Sequence, residues 1–146
     1  MLTFICYPKC STCQKAKALL DNYNAQYEIR DIKTDNPSYE ELKTWLSLSE
    51  LPVKKFFNTS GMLYKTLGLK DKLASMSEDE CLKLLATDGM LVKRPLLVDE
   101  YCALVGFKPE EWVSVFEYDR KKTDMAFNEY FKEMVELIKL KEIADT

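Results

Sequence analysis

The chain has 146 residues, is 47% hydrophobic and carries a net charge of −3. That length and apolar content fit one compact domain with a substantial core. Intermixed charge leaves no broad basic footprint, which argues against nonspecific nucleic-acid binding. The absence of histidine excludes every Ser-His or Cys-His arrangement and removes the usual zinc partner. Catalysis must therefore rest on thiols, carboxylates, Lys, Arg, Tyr or backbone dipoles. No apolar run approaches the roughly 20 residues that span a bilayer. The opening run, Leu2 to Cys6, is too short for a secretory signal, and five unevenly spaced cysteines do not resemble a secreted disulfide framework. A cytoplasmic protein is expected.

Residues 2–7, LTFICY, predict a short buried strand that Pro8 breaks. From Ser11 or Thr12 the pattern turns helical, with Cys13, Ala16, Leu19 and Leu20 at three- and four-residue steps. The helix fades at 21–24, and QYEIRDI (26–32) predicts a second strand with Tyr27, Ile29 and Asp31 on one face. So short a crossover implies a parallel βαβ unit. Ser38 and Glu41 form a capping box ahead of Leu42, Trp45 and Leu46; Ser77 and Glu80 form another ahead of Leu82, Leu84 and Leu85. Between these helices, short helices and turns are expected. RPLLVDE (94–100) and YCALVGF (101–107) predict an antiparallel hairpin turning near Asp99-Glu100. Pro109 then starts a helix with acids in its first turn.

Residues 1–117 thus form an α/β domain with a helical insert at about 38–88, and 118–146 a C-terminal helical extension. In that extension DRKKTD reads as a polar bridge. Residues 124–144 read as an amphipathic helix with Phe127, Phe131, Met134 and Ile138 on one stripe, widened by Tyr130 and Leu137. Such a stripe must be buried, either on its own domain or as a dimer helix.

Three of the five cysteines fall in FICYPKCSTC. Taken together they are C-x3-C-x2-C, an iron–sulfur spacing. Pro8 separates Cys6, inside the strand, from Cys10 and Cys13 beyond it, so one loop would not present all three. A four-thiolate zinc site would need a second close pair, and Cys81 and Cys102 are not one. The dithiol reading fits better. Cys10 follows a strand and opens a helix, where unpaired N–H groups and the dipole favour a thiolate, and Lys9 and Lys15 add positive potential. Cys13, on the first helical turn, is placed to attack a mixed disulfide at Cys10. Cys6, Cys81 and Cys102 read as small core hydrophobes.

YPKCSTCQKA, GMLVKRPLLV and LVGFKPEEW, spread over residues 1–113, resemble the arsenate-reductase-related branch of the thioredoxin superfamily, which includes the Spx transcriptional regulators. The resemblance implies a thioredoxin-like (glutaredoxin-like) βαβ…ββα sheet with an inserted helical segment. It implies Cys10 as nucleophile, Arg94 as the arginine before a cis-proline at Pro95, and a Cys10–Cys13 redox disulfide. Lys9, Ser11, Thr12, Pro95, Lys108 and Asn58 are expected to line the substrate site. Reductases of this kind surround their oxyanion with further arginines; those positions here hold Asn58 and Lys108, which weakens an arsenate site. No bound cofactor or metal is implied, only glutathione or thioredoxin as external reductant. The regulators bind RNA polymerase through a glycine-containing turn after the second helix, where this chain has Ser49-Glu50-Leu51-Pro52, and carry a basic tail. The tail here holds six Lys/Arg against seven Asp/Glu over 118–146.

Overall fold

The computed structural model describes residues 1–124 and 136–141. Strand β1 (Leu2–Cys6), helix α1 (Ser11–Asn22) and strand β2 (Tyr27–Asp31) form a parallel βαβ unit, with Leu2 opposite Tyr27 and Phe4 opposite Ile29. Strand β3 (Leu96–Val98) pairs antiparallel with β1, and β4 (Ala103–Val105) antiparallel with β3. The sheet order is β2-β1-β3-β4. The hairpin strands are shorter than their apolar runs. Pro95 has no N–H to donate. At the other end the Asp99 carboxylate accepts the amides of Tyr101 and Cys102, each at 2.7 Å, closing a four-residue turn.

Between β2 and β3 lie α2 (Tyr39–Ser49), α3 (Met62–Thr66), α4 (Leu69–Lys72) and α5 (Glu78–Leu85), with 3₁₀ turns at Val53–Phe56, Leu73–Ser75 and Gly89–Leu91. Both predicted capping boxes are present, at Ser38/Glu41 and Ser77/Glu80. Alternation along β1 divides the core. Ile5, Leu96, Val98, Ala103 and Val105 face the insert and pack with Leu42, Trp45, Leu46, Phe56, Phe57 and Leu85. Leu2, Phe4, Cys6 and Leu97 face the other way and are buried, as are Cys13, Ala16 and Leu20 of the crossover helix α1. Tyr27 meets Phe4 edge-on, but Ile29 is 56% exposed because β2 is the edge strand.

Two features tie the insert to the sheet. Phe57 bridges Val92, flanked by bonds from Asn58 N–H to the Leu91 carbonyl (2.8 Å) and from Lys93 N–H to the Phe56 carbonyl (2.7 Å). Gly89 lies against the chain leaving β2: a Cβ there would stand 1.7 Å from the Ile32 carbonyl oxygen. The Asn36 amide donates to the Ala86 carbonyl at 2.8 Å across the same junction.

The chain divides into two compact units between Pro109 and Glu110. The expected boundary near 117 lies inside α6 (Pro109–Asp124), and DRKKTD is the end of that helix rather than a bridge. Within α6 the buried Trp112 and Phe116 meet edge-to-face at 6.3 Å. Residues 136–141 are helical, with Leu137, Ile138 and Leu140 exposed. Phe127, Tyr130, Phe131 and Met134 of the expected stripe lie outside the described residues.

Two substitutions test this account. Gly89→Ala is expected to lower unfolding free energy by about 3 kcal/mol or more, since the clash is with backbone that cannot rotate away; urea denaturation measures it. Glu50 caps α2 in the left-handed conformation (φ 58) and is exposed. Glu50→Gly should therefore raise stability by about 0.5 kcal/mol, the left-handed strain relieved less the entropy of glycine.

Candidate functional site: the dithiol at the start of helix α1

Cys10 is the N-cap of α1, with extended backbone (φ −87, ψ 123). Its own N–H donates back to the Tyr7 carbonyl at 2.9 Å, closing the Tyr7–Cys10 turn, while its carbonyl accepts the Gln14 N–H. The side chain thus stands where the first amides of the helix have no intrahelical acceptor. Burial pushes the Cys10 thiol up. The amide and thiol of Cys13, the amide of Thr12 and the Arg94 guanidinium together outweigh burial, and the net displacement is downward.

Cys13, one turn on, is 2% exposed. Burial dominates and pushes its thiol up to about 12, helped by the neighbouring Cys10 and Cys6 sulfurs and opposed by the Tyr7 N–H, which donates to Cys13 Sγ at 3.4 Å. The pair is therefore polarised: the rim thiol gives up its proton more readily than an ordinary cysteine, and the thiol behind it holds its proton. When Cys10 ionises, the Cys13 thiol donates to it and steadies the charge.

Arg94 and Pro95 join this site from the strand entering β3. Their peptide bond is cis. Pro95 is buried and its carbonyl accepts the Gly106 N–H at 2.9 Å. The half-buried Arg94 donates to the Met90 carbonyl at 3.3 Å and lays its guanidinium 5.2 Å from the centre of the Tyr7 ring. Tyr7 is the residue that sequence reasoning missed. It was legible as the end of a strand, but nothing local announces that its carbonyl, amide and ring each engage a different member of the site.

The other expected residues divide. Lys9, Ser11 and Thr12 are exposed beside Cys10, Thr12 contributing its amide. Asn58 is half-buried in the ladder beside Leu91, three residues before Arg94. Its carboxamide oxygen accepts the Ser60 hydroxyl at 3.2 Å, so that side chain is engaged within its own turn. Lys108 is exposed between β4 and α6. Cys81 is buried in α5, and Cys102 sits half-buried in the hairpin turn. Among the described residues, no three Cys, Asp or Glu side chains converge as a metal-binding group.

The ArsC family model matches residues 6–115. The chain is 53% identical over 111 residues to the uncharacterized protein YusI of Bacillus subtilis, covering 76% of this chain and 94% of YusI. It is 33% identical over 122 residues to the regulatory protein MgsR of the same organism (84% and 93%), and global transcriptional regulators Spx also match, such as that of Enterococcus faecalis. The crystal structure of an ArsC family related protein from Bacteroides fragilis superposes with a TM-score of 0.76 at 60% identity, over 77% of this chain and 95% of that one. Arsenate reductase from Vibrio cholerae superposes at 0.69 with 29% identity, over 77% and 95%. The sheet order, the helix-start cysteine facing an Arg–cis-Pro pair and the match across three quarters of the sequence place this chain in the ArsC family, with its thioredoxin-like fold.

Proposed function

We propose that this chain is a thiol–disulfide oxidoreductase working through Cys10 and Cys13. The observation that carries the reading is the placement of the two cysteines: Cys10 half-exposed at the N-cap of α1 and Cys13 buried one turn behind it. Cys10 thiolate attacks a substrate disulfide; the substrate S–S bond breaks, one thiolate departs, and a mixed disulfide remains on Cys10. With the Cys10 charge gone, one of the effects holding Cys13 protonated is removed, while the Tyr7 N–H still favours its thiolate. Having no histidine, the chain releases the Cys13 proton to water or to the departing thiolate. Cys13 then attacks Cys10 Sγ and expels the second substrate thiolate. Glutathione or thioredoxin reduces the resulting Cys10–Cys13 disulfide, which suits a reducing cytoplasm.

Lys9, Ser11 and Thr12 frame the incoming group beside Cys10, Pro95 walls the cleft and Arg94 supplies charge. Arsenate is a poor candidate substrate. Asn58 carries no charge, and Lys108 lacks the guanidinium fork that grips a tetrahedral oxyanion.

A second reading, a redox-sensing regulator that binds RNA polymerase, draws on relatives named as regulators. Position 50 speaks against it. The backbone there is left-handed and would accept the glycine that the regulators' turn contains, yet the residue is Glu50. A polymerase pull-down that is unchanged between reduced and oxidised protein excludes this reading.

The enzyme reading predicts a thiolate absorbance titration with a first midpoint below 9, because Cys10 ionises early, while Cys13 stays protonated until about pH 12. Cys13→Ala should raise the Cys10 midpoint more than Arg94→Ala, following the order of their influence. Tyr7→Leu, which removes the ring under Arg94 at a cost of about 0.5–1 kcal/mol, should raise it least. Disulfide-reductase turnover should fall about a hundredfold or more in Cys10→Ser and stay near wild type in Cys81→Ser; equal losses would reject Cys10 as the nucleophile.

A further inference from the structure

The dithiol has a third thiol behind it. Cys6 ends β1 on the same side of the sheet as Leu2 and Phe4, the side on which α1 buries Cys13. Cys13 Sγ accepts the N–H of Tyr7 at 3.4 Å, and that nitrogen belongs to the peptide bond leaving Cys6. Adding standard backbone bond lengths, the Cys13 sulfur lies within about 6 Å of Cys6 Cα. A Cys6 side chain turned toward that sulfur spans the separation, and a disulfide formed there would set the two Cα atoms roughly 4.4–6.8 Å apart. The sulfurs also feel one another. Burial first, then Asp31 opposite it on β2, then Cys10 keep Cys6 protonated, and Cys6 in turn disfavours ionisation of Cys13. Cys6 is 6% exposed, so an external disulfide meets it less readily than it meets Cys10. Its accessible reaction partner is its neighbour.

We propose that Cys6 is a third redox-active thiol, which exchanges into the oxidised site to give a buried Cys6–Cys13 disulfide and a free Cys10. This rests on Cys10–Cys13 being the first-formed disulfide. The Cys6 thiol loses its proton to water and its thiolate attacks Cys13 Sγ. The Cys10–Cys13 bond breaks and its electron pair leaves on Cys10. One disulfide replaces another, no external oxidant is consumed, and one proton is released.

Two physical reasons set the direction. Exchange is fastest when the leaving thiol has the lower pKa, and of the two sulfurs in the disulfide that is Cys10. The thiolate stabilisation by the helix-start amides and Arg94, forfeited when Cys10 is bonded to Cys13, is also recovered once Cys10 is released. The product is an oxidised protein that keeps its nucleophile at the rim. It accepts a thiol adduct at Cys10 that Cys13 no longer resolves, which turns a dithiol enzyme into a monothiol one.

Trypsin separates the alternatives, because it cuts after Lys9 and Lys15 and so puts Cys6 in peptide 1–9 and both Cys10 and Cys13 in peptide 10–15. Protein oxidised with glutathione disulfide, alkylated at low pH and digested should contain peptide 1–9 joined to peptide 10–15. The joined pair should vanish in Cys13→Ser and Cys6→Ser and form far more slowly in Cys10→Ser, which cannot make the first disulfide, with circular dichroism verifying that each variant is folded. Wild type with only an internal disulfide in peptide 10–15 overturns the third thiol and leaves the Cys10–Cys13 enzyme standing. A joined pair that persists in Cys13→Ser assigns the link to Cys10 instead and also overturns the proposal. Wild type lacking any disulfide within 10–15, even at early times, removes the oxidoreductase reading and with it the exchange route proposed for Cys6.

Discussion

Tyr7 is the residue on which the site depends. Its carbonyl accepts the Cys10 N–H and shapes the turn out of β1; its N–H donates to Cys13 Sγ; its ring carries the Arg94 guanidinium. Two of these three contacts are made by the main chain, so they are set by where β1 ends rather than by the tyrosine side chain. β1 ends there because Pro8 cannot supply the next ladder donor. β1 is also an inner strand of the sheet, paired with β2 on one side and β3 on the other. The nucleophile is therefore anchored to an inner strand of the sheet, and its charge partner arrives from the segment entering the neighbouring inner strand.

Position along a single helical turn decides which cysteine does what. Cys10 and Cys13 share the positive end of α1, yet their thiols move in opposite directions. At Cys10, partly exposed and surrounded by donors, hydrogen bonding and charge overcome desolvation. At Cys13, buried with one long amide contact, desolvation prevails. The same balance keeps Cys6 neutral, with an acidic neighbour in Asp31 in place of a donor. Three thiols in one short stretch thus hold graded proton affinities, which is what ordered disulfide exchange requires.

The helical insert serves the site from a distance. Gly89 presses on the Ile32 carbonyl, Ile32 N–H donates to the Cys6 carbonyl at 2.9 Å, and the ladder from Phe56 to Asn58 holds Leu91–Lys93. Arg94 leaves that ladder already aimed. A looser junction would let the guanidinium swing without breaking a single bond to Cys10, so its rigidity matters to the chemistry as much as the charge itself.

Much of this was legible along the chain. The βαβ unit, both capping boxes, the hairpin and the strand–CxxC–helix placement are local patterns: apolar spacing, cap chemistry and turn residues act over a few positions, so sequence carries them. Strand lengths, the exposure of Ile29 at the sheet edge and the extension of α6 through DRKKTD depend on what lies alongside, and periodicity does not encode neighbours. The same division runs through the site. Residue types and spacing determined that Cys10 and Cys13 form a dithiol at a helix start, because an N-terminal turn and its free amides are local. Only the tertiary structure decided which thiol is driven up and which down, that Tyr7 joins both to Arg94, and that Cys6 stands within reach, because burial and through-space charge arise between segments far apart in sequence.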